Sequence, residues 1–274
     1  MKEQNWSALW RELSERFRWP ERMGEPVDRW TRRAGSFDSP PETGNRHRSD
    51  PILEFVLGSL GPQSTVLDIG AGTGRWSVPM AGIARKVTAI DPSPAMLDVL
   101  RRKIESAGTA NIEIVQAPWE EVEVEPHDVA LCSHGMYASP DLLSFVRKME
   151  RSARCRCFLI MRATSPEAVI GELSHRIYGQ RHDSPNFIVG YNVLYEAGIM
   201  AGVLMESETR PWTNDSLDDA LLRAKRHLGL SSHPEHDSMI RRVLTERLIF
   251  KEGKYLWEDG KRSALVWWDP GEAA

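Results

Sequence analysis

Apolar residues along this chain keep two rhythms. Between residues 50 and 163, short apolar runs alternate with longer stretches in which apolar positions recur every three or four residues. The short runs are Thr65–Ile69, Lys86–Asp91, Ile112–Val115, Asp128–Ser133 and Cys155–Ala163. Short, mostly apolar runs of this kind read as buried parallel strands. The helical stretches lie between them. Ile52, Leu53, Val56, Leu57 and Leu60 form one apolar face, opened by Asp50-Pro51 and stopped by Gly61-Pro62. Asp is a good N-cap and Pro suits the first helical turn. A second helix is expected from about Trp76 to Ile83. A third carries Met96, Leu97, Val99 and Leu100, and a fourth, over 140–153, carries Leu142, Leu143, Phe145, Val146 and Met149. Strand and helix in repeated alternation predict an α/β fold: a doubly wound, mostly parallel sheet with right-handed crossovers.

The flanking segments follow other patterns. Residues 4–18 place Trp6, Leu9, Trp10, Leu13 and Phe17 on one helical face, with Pro20 ending the helix. A short helix is expected over Val27–Arg33 and a polar loop over 36–48. The N-terminal helical arm, 1–49, is expected to pack on the core and to cover a ligand site as a lid. Arg11, Glu12, Glu15 and Arg16 read as a solvated face. Beyond the core at 50–163, residues 164–274 are expected to complete the sheet and to add a helical cap, in insertions near 164–200 and 211–250. Thr164–Val189 is long and polar, with His175, Arg176, Tyr178, Arg181, His182 and Asn186, and reads as a binding loop. Helices are expected over Tyr191–Gly198, Leu217–Leu228 and Asp237–Ile249. A strand is expected over Val203–Thr209, ended by Pro211-Trp212. Tyr255–Trp257 and Ser263–Trp268 are expected to pair as a hairpin across Asp259-Gly260.

The chemistry concentrates at Thr65–Trp76, which contains Asp68-x-Gly70-x-Gly72-x-Gly74. Glycines between a strand and a helix let a ligand lie against bare backbone, where the helix start adds free N–H groups and a positive dipole end. A dinucleotide fingerprint would need a third glycine at Arg75 or Ser77, and neither fits. Asp68 would also repel a pyrophosphate. Asp91 ends the second strand, where a carboxylate can accept hydrogen bonds from two ribose hydroxyls.

These residues resemble the class I (Rossmann-like) S-adenosylmethionine-dependent methyltransferases, in particular the broad type 11 branch. The resemblance covers about residues 50–163 and implies a seven-stranded sheet whose last strand is antiparallel. It implies S-adenosylmethionine as cofactor and S-adenosylhomocysteine as product. Contacts implied for it are Asp68, Gly70, Ala71, Gly72, Gly74, Trp76, Asp91, Pro92, Ser93, Met96, Ala117, Pro118, Trp119, Ser133 and His134. The family commonly has an acidic residue where this chain has Ala117, so adenine is expected at the backbone there, beside Trp119. His134 and Tyr137 are the candidate catalytic residues, and His182 and Tyr191 are further candidates for a base. Trp6, Trp10, Trp30, Trp212 and Trp267 can line an acceptor pocket or serve as core.

Composition narrows the picture. The net charge of −4 argues against a dedicated nucleic-acid binder. Cys132, Cys155 and Cys157 are an odd, sparse set that suggests no disulfide framework and fits a reducing compartment. Cys155-x-Cys157 is a weak metal signal, and His233-Pro-Glu-His236 reads as a helix start; no metal is expected. The stretch Ile188–Met205 is too broken to span a bilayer, and Met1–Trp6 lacks a signal-peptide core. The expectation is a cytoplasmic protein, monomer or homodimer, methylating a small molecule, with no nucleic-acid or membrane partner. The alternatives are a non-catalytic scaffold that binds S-adenosylmethionine, a methylase of tRNA or protein, and a dinucleotide-dependent oxidoreductase.

Overall fold

The computed structural model describes residues 4–17, 50–165, 167–206 and 210–271. Ten strands form two sheets among these residues. The larger contains β1 (Thr65–Ile69), β2 (Lys86–Ile90), β3 (Ile112–Val115), β4 (His127–Ser133), β5 (Ala153–Arg162), β6 (Gly202–Met205) and β10 (Ser263–Trp268). Its order is β3-β2-β1-β4-β5-β10-β6. The pairs from β3 through β5 are parallel, and β10 runs antiparallel to both β5 and β6. The strand order reverses between β1 and β4, and the carboxyl ends beside such a switch point form a crevice where open α/β sheets take ligands.

Both faces of this sheet are covered, which explains why its strands are mostly apolar. On one face α2 (Pro51–Gly58), α3 (Ser77–Ala81) and α4 (Pro94–Ala107) bury Ile52, Val56, Met80, Leu97 and Leu100 against Val66, Val87, Ala89 and Leu131. On the other, α1 (Trp6–Phe17), α5 (Leu142–Arg151) and α7 (Phe187–Glu196) bury Trp10, Leu13, Phe145, Met149 and Val193 against Leu67, Ile69 and Leu159. Local capping matches the sequence: Asp50 accepts from Leu53 N at 3.1 Å, and Ser93 accepts from Met96 N at 3.4 Å. Each satisfies an amide that the first helical turn leaves open.

The cap has its own core. A second sheet, β7-β9-β8, comprises β7 (Arg210–Asn214), β8 (Ile249–Lys251) and β9 (Lys254–Lys261). It packs with α6 (Val169–Tyr178), α8 (Leu217–Leu228) and α9 (Asp237–Arg247) around Leu173, Leu221, Val243 and Trp257.

Three expectations need correction. The stretch 164–189 is not a structureless loop. It contains α6, whose Val169, Ile170 and Leu173 are buried against α8 and α9. Pro211-Trp212 does not end a strand but lies within β7. β9 and β10 are not a hairpin. β9 continues through Asp259-Gly260 with a shift of register against β7, and pairs with β7 and β8, whereas β10 enters the large sheet. The expected helix at 27–33 and loop at 36–48 lie outside the described residues, as does Trp30.

Candidate active site

The site forms where β1, β2 and β4 end together. Asp68, in β1, is 1 % exposed. Its Oδ2 accepts from Ser77 Oγ at 2.5 Å, while Oδ1 is buried without a partner among the described residues. Ile90 O then takes two loop amides, from Gly70 at 2.8 Å and Ala71 at 2.9 Å. This draws the glycine loop over the end of β2. Gly72 has φ +56°, and a Cβ there would meet nothing within 4 Å. The loop therefore presents bare backbone to open space.

Asp91 sits beside that opening. Its Oδ2 accepts from Gly72 N at 2.8 Å, and its Oδ1 accepts from Ser93 N at 2.8 Å. A carboxylate has about four acceptor positions, so each oxygen retains capacity for a hydroxyl. Burial pushes the Asp91 carboxyl up, against the pull of these two amides. The tip of β4 completes the group. A Cβ on Gly135 would lie 3.1 Å from Cys132 Sγ and 3.2 Å from Ile69 O. Only glycine lets the two strand tips approach so closely, a constraint that the sequence reading did not single out.

Residues 66–155, about a third of the chain, match the methyltransferase domain family. The fold matches a Bacillus halodurans crystal structure titled as a methyltransferase, with a TM-score of 0.57, 17% identity, and coverage of 81% of this chain and 98% of that one. Residues 66–155 thus match a methyltransferase domain, within a fold that the chain shares with that structure.

Relatives extend beyond this domain. An uncharacterized protein of Haemophilus influenzae is 28% identical over 213 residues, 74% of this chain and 75% of that protein. The ubiquinone biosynthesis O-methyltransferase of Acinetobacter baylyi is 36% identical over 106 residues, 38% of this chain and 44% of the relative. A probable ribosomal RNA small subunit methyltransferase A of Methanosphaera stadtmanae is 44% identical over 69 residues, 24% of this chain and 26% of the relative. The chain thus spans less than half the length of each of these two methyltransferases.

The fold places the remaining candidates unevenly. Gly70, Gly72, Asp91, Ser93, Ser133 and His134 lie at the strand tips around the loop. Pro92 is exposed beside them, and Ala117 and Pro118 are half-buried after β3. Ala71 is buried against α4, and Gly74 lies under Leu100. The side chains of Trp76 and Met96 are buried, with Trp76 in the cluster formed by α2 and α3. Trp119 also faces the core, packed near Phe145. Lys148 Nζ lies 4.7 Å from the Trp119 ring centroid and donates to Trp119 O at 2.7 Å and Val122 O at 2.6 Å. This lysine clamps the loop after β3.

His134 and Tyr137 come together. His134 has φ +58°, and its Nδ1 lies 2.8 Å from Tyr137 Oη. Tyr137 Oη also accepts from Arg162 N, at the end of β5, at 2.6 Å. Burial pushes the Tyr137 phenol up, so it stays protonated at neutral pH. His182 and Tyr191 stand apart from this pair. The His182 ring lies near Trp6, and Tyr191 Oη donates to Ala201 O. Among the described residues no cluster of His, Cys, Asp and Glu is arranged to hold a metal.

Burial pushes the Asp68 carboxyl up to about 7 from 3.8, with Ser77 opposing and Asp91 reinforcing the shift. Unfolded, Asp68 ionises near 3.8, so its raised folded value favours the fold at low pH. That contribution is lost as pH rises through about 7. Asp68→Asn removes this titration. Its melting temperature relative to wild type is expected to climb between about pH 4 and 7 and level off above. A difference independent of pH, measured by calorimetry, would show that Asp68 is ionised throughout.

Proposed function

We propose that the protein is an S-adenosylmethionine-dependent methyltransferase that methylates a small molecule. The observation that carries this reading is Asp91. It is a buried carboxylate fixed by two backbone amides beside a glycine that opens on free space. A ribose with two adjacent hydroxyls fits the acceptor positions that remain on Asp91. The orphaned Oδ1 of Asp68 suits a cationic ligand, to which it would contribute charge either directly or through a water. The backbone at Ala117 and Pro118 would edge the adenine, and His134 would face the reacting end.

When bound, the cofactor supplies a methyl group on a sulfonium, already electrophilic. The protein has to align an acceptor with it and exclude water, which contributes roughly 7–11 kcal/mol of barrier lowering in well-oriented systems. A net charge of −4, a cap set beside the end of β5 and similarity to an O-methyltransferase support a small acceptor over an RNA. The similarity to a ribosomal RNA methyltransferase covers only about a quarter of each chain. No helix among the described residues is long and apolar enough to cross a membrane.

Isothermal titration of the full chain with S-adenosylmethionine and with S-adenosylhomocysteine tests this reading. Micromolar or tighter binding of both is expected, about 8 kcal/mol or more. Folded protein that binds neither would remove the proposal.

A further inference from the structure

Where the cap meets the end of β5, a narrow cleft of about 20 Å³ is lined by Arg162, Thr164, Asp183, Trp212, His227 and Trp257. A space of this size admits one hydroxyl or one water. It lies on the carboxyl side of the large sheet, because Arg162 closes β5 and its amide holds Tyr137 Oη. β5 is two strand spacings from β1, about 10 Å, so the cleft lies on the same edge of the sheet as the glycine loop, two strands along.

The cleft contains an ordered set of polar groups. The Asp183 side chain is 4 % exposed. Its Oδ2 accepts from Arg162 Nη2 at 2.9 Å and makes a short contact with His227 Nε2. His227 Nε2 also lies 3.1 Å from Arg162 Nη1. Between a carboxylate and a guanidinium, the Nε2 proton belongs on the carboxylate side. That fixes the tautomer and leaves the Nδ1 lone pair bare. His227 Nδ1 makes no hydrogen bond among the described residues. Trp212 lies with its ring centroid 5.8 Å from that of His227, and its indole N–H is buried without an acceptor. Among the described residues Arg223, on the helix of His227, also stands here, with its guanidinium over the Trp212 ring.

We propose that His227 is the general base for methyl transfer, with Asp183 as its positioning residue, and that the acceptor atom is a hydroxyl oxygen. This rests on the methyltransferase reading above. A hydroxyl matches the cleft on both counts: it accepts from the Trp212 N–H and donates to His227 Nδ1. As the oxygen forms its bond to the methyl carbon, the sulfonium C–S bond breaks and its electron pair goes to sulfur. The hydroxyl proton passes to His227 Nδ1, and the imidazolium pairs with Asp183 until water takes the proton. Arg162 stabilises negative charge growing on the oxygen. A base oriented by a buried carboxylate is a recurrent way of activating a hydroxyl.

The test is nitrogen-15 NMR of the histidine rings in the full-length protein without cofactor. His227 is assigned by its loss in His227→Gln, or by its proximity to Trp212 where that variant does not fold. At pH 8 the ring is expected to show a proton on Nε2 and none on Nδ1. Asp183→Asn should move that proton to Nδ1, because Nε2 is then left to accept from Arg162 Nη1. Excess phenol, used as a hydroxyl probe, should shift both the His227 Nδ1 and the Trp212 indole resonances. Two protons on His227 persisting to pH 9 would make the pair a structural latch and overturn the assignment. Phenol that moves neither resonance would overturn the hydroxyl. Neither readout depends on cofactor binding, so this proposal and the methyltransferase reading can fail separately.

Discussion

Asp91→Ala is expected to weaken S-adenosylmethionine binding about a hundredfold. Hydrogen bonds to a charged group contribute roughly 1.5–3 kcal/mol each. Losing two from a ribose amounts to about 3 kcal/mol, or about two decades in Kd. The substitution also strands the amides of Gly72 and Ser93, which Asp91 holds at 2.8 Å. Unliganded stability should therefore fall as well, by about 1–3 kcal/mol. Titration calorimetry on protein shown to be folded separates the two effects. Asp91→Asn is the control, because it keeps one carbonyl oxygen for a backbone amide. An affinity within twofold of wild type in folded Asp91→Ala would mean that the carboxylate supports the loop and holds no sugar.

Trp10→Ala should produce the largest loss of stability, about 3–5 kcal/mol, as for other large buried aromatics cut to alanine. Trp10 is fully buried in α1. Its Nε1 donates to Ser139 O at 2.9 Å, and its ring lies near Tyr137. A Cβ on Gly190 of α7 would come within 3.1 Å of it. One side chain thus pins the N-terminal helix to α7 and to the segment after β4 that carries Tyr137. Trp10→Phe should recover most of the loss, falling short by the one hydrogen bond, about 1 kcal/mol. Urea denaturation reads both variants. A loss below 1 kcal/mol in Trp10→Ala would mean that α1 is not docked as described.

The core was legible because its signals are local. Val66, Leu67 and Ile69 read as a strand, Asp50-Pro51 as a helix start, and Asp91 as a strand-tip acid, each within a few residues. The cap was misread because its signals depend on partners far along the chain. α6 has a regular apolar face at Val169, Ile170 and Leu173, but it packs against helices near residues 220 and 240. Its polar end, His175 and Arg176, resembles a loop in isolation. The true hairpin turn is Glu252-Gly253, joining β8 to β9. Both residues have positive φ, 53° and 78°, as a two-residue type I′ turn requires. Asp259-Gly260 carries the stronger dipeptide signal, yet it marks a shift of register within β9 against β7.

The candidate site divides the same way. Asp68, the glycines and Asp91 could be named from spacing alone. Trp76 and Trp119 were named too, but their rings are needed by the core. Asp183 and His227 escaped notice because they lie 44 residues apart. Only the packing of the cap against β5 brings them together.

The position of β10 has a consequence for synthesis. Residues 263–268 lie between β5 and β6, so neither strand can pair with β10 until almost all of the chain described here has left the ribosome. The parallel half, β1 to β5, can assemble earlier, but the emerging polypeptide then displays the unpaired side of β5, an invitation to pair with other chains. A nascent chain stalled before residue 263 should therefore be the species that chaperones capture.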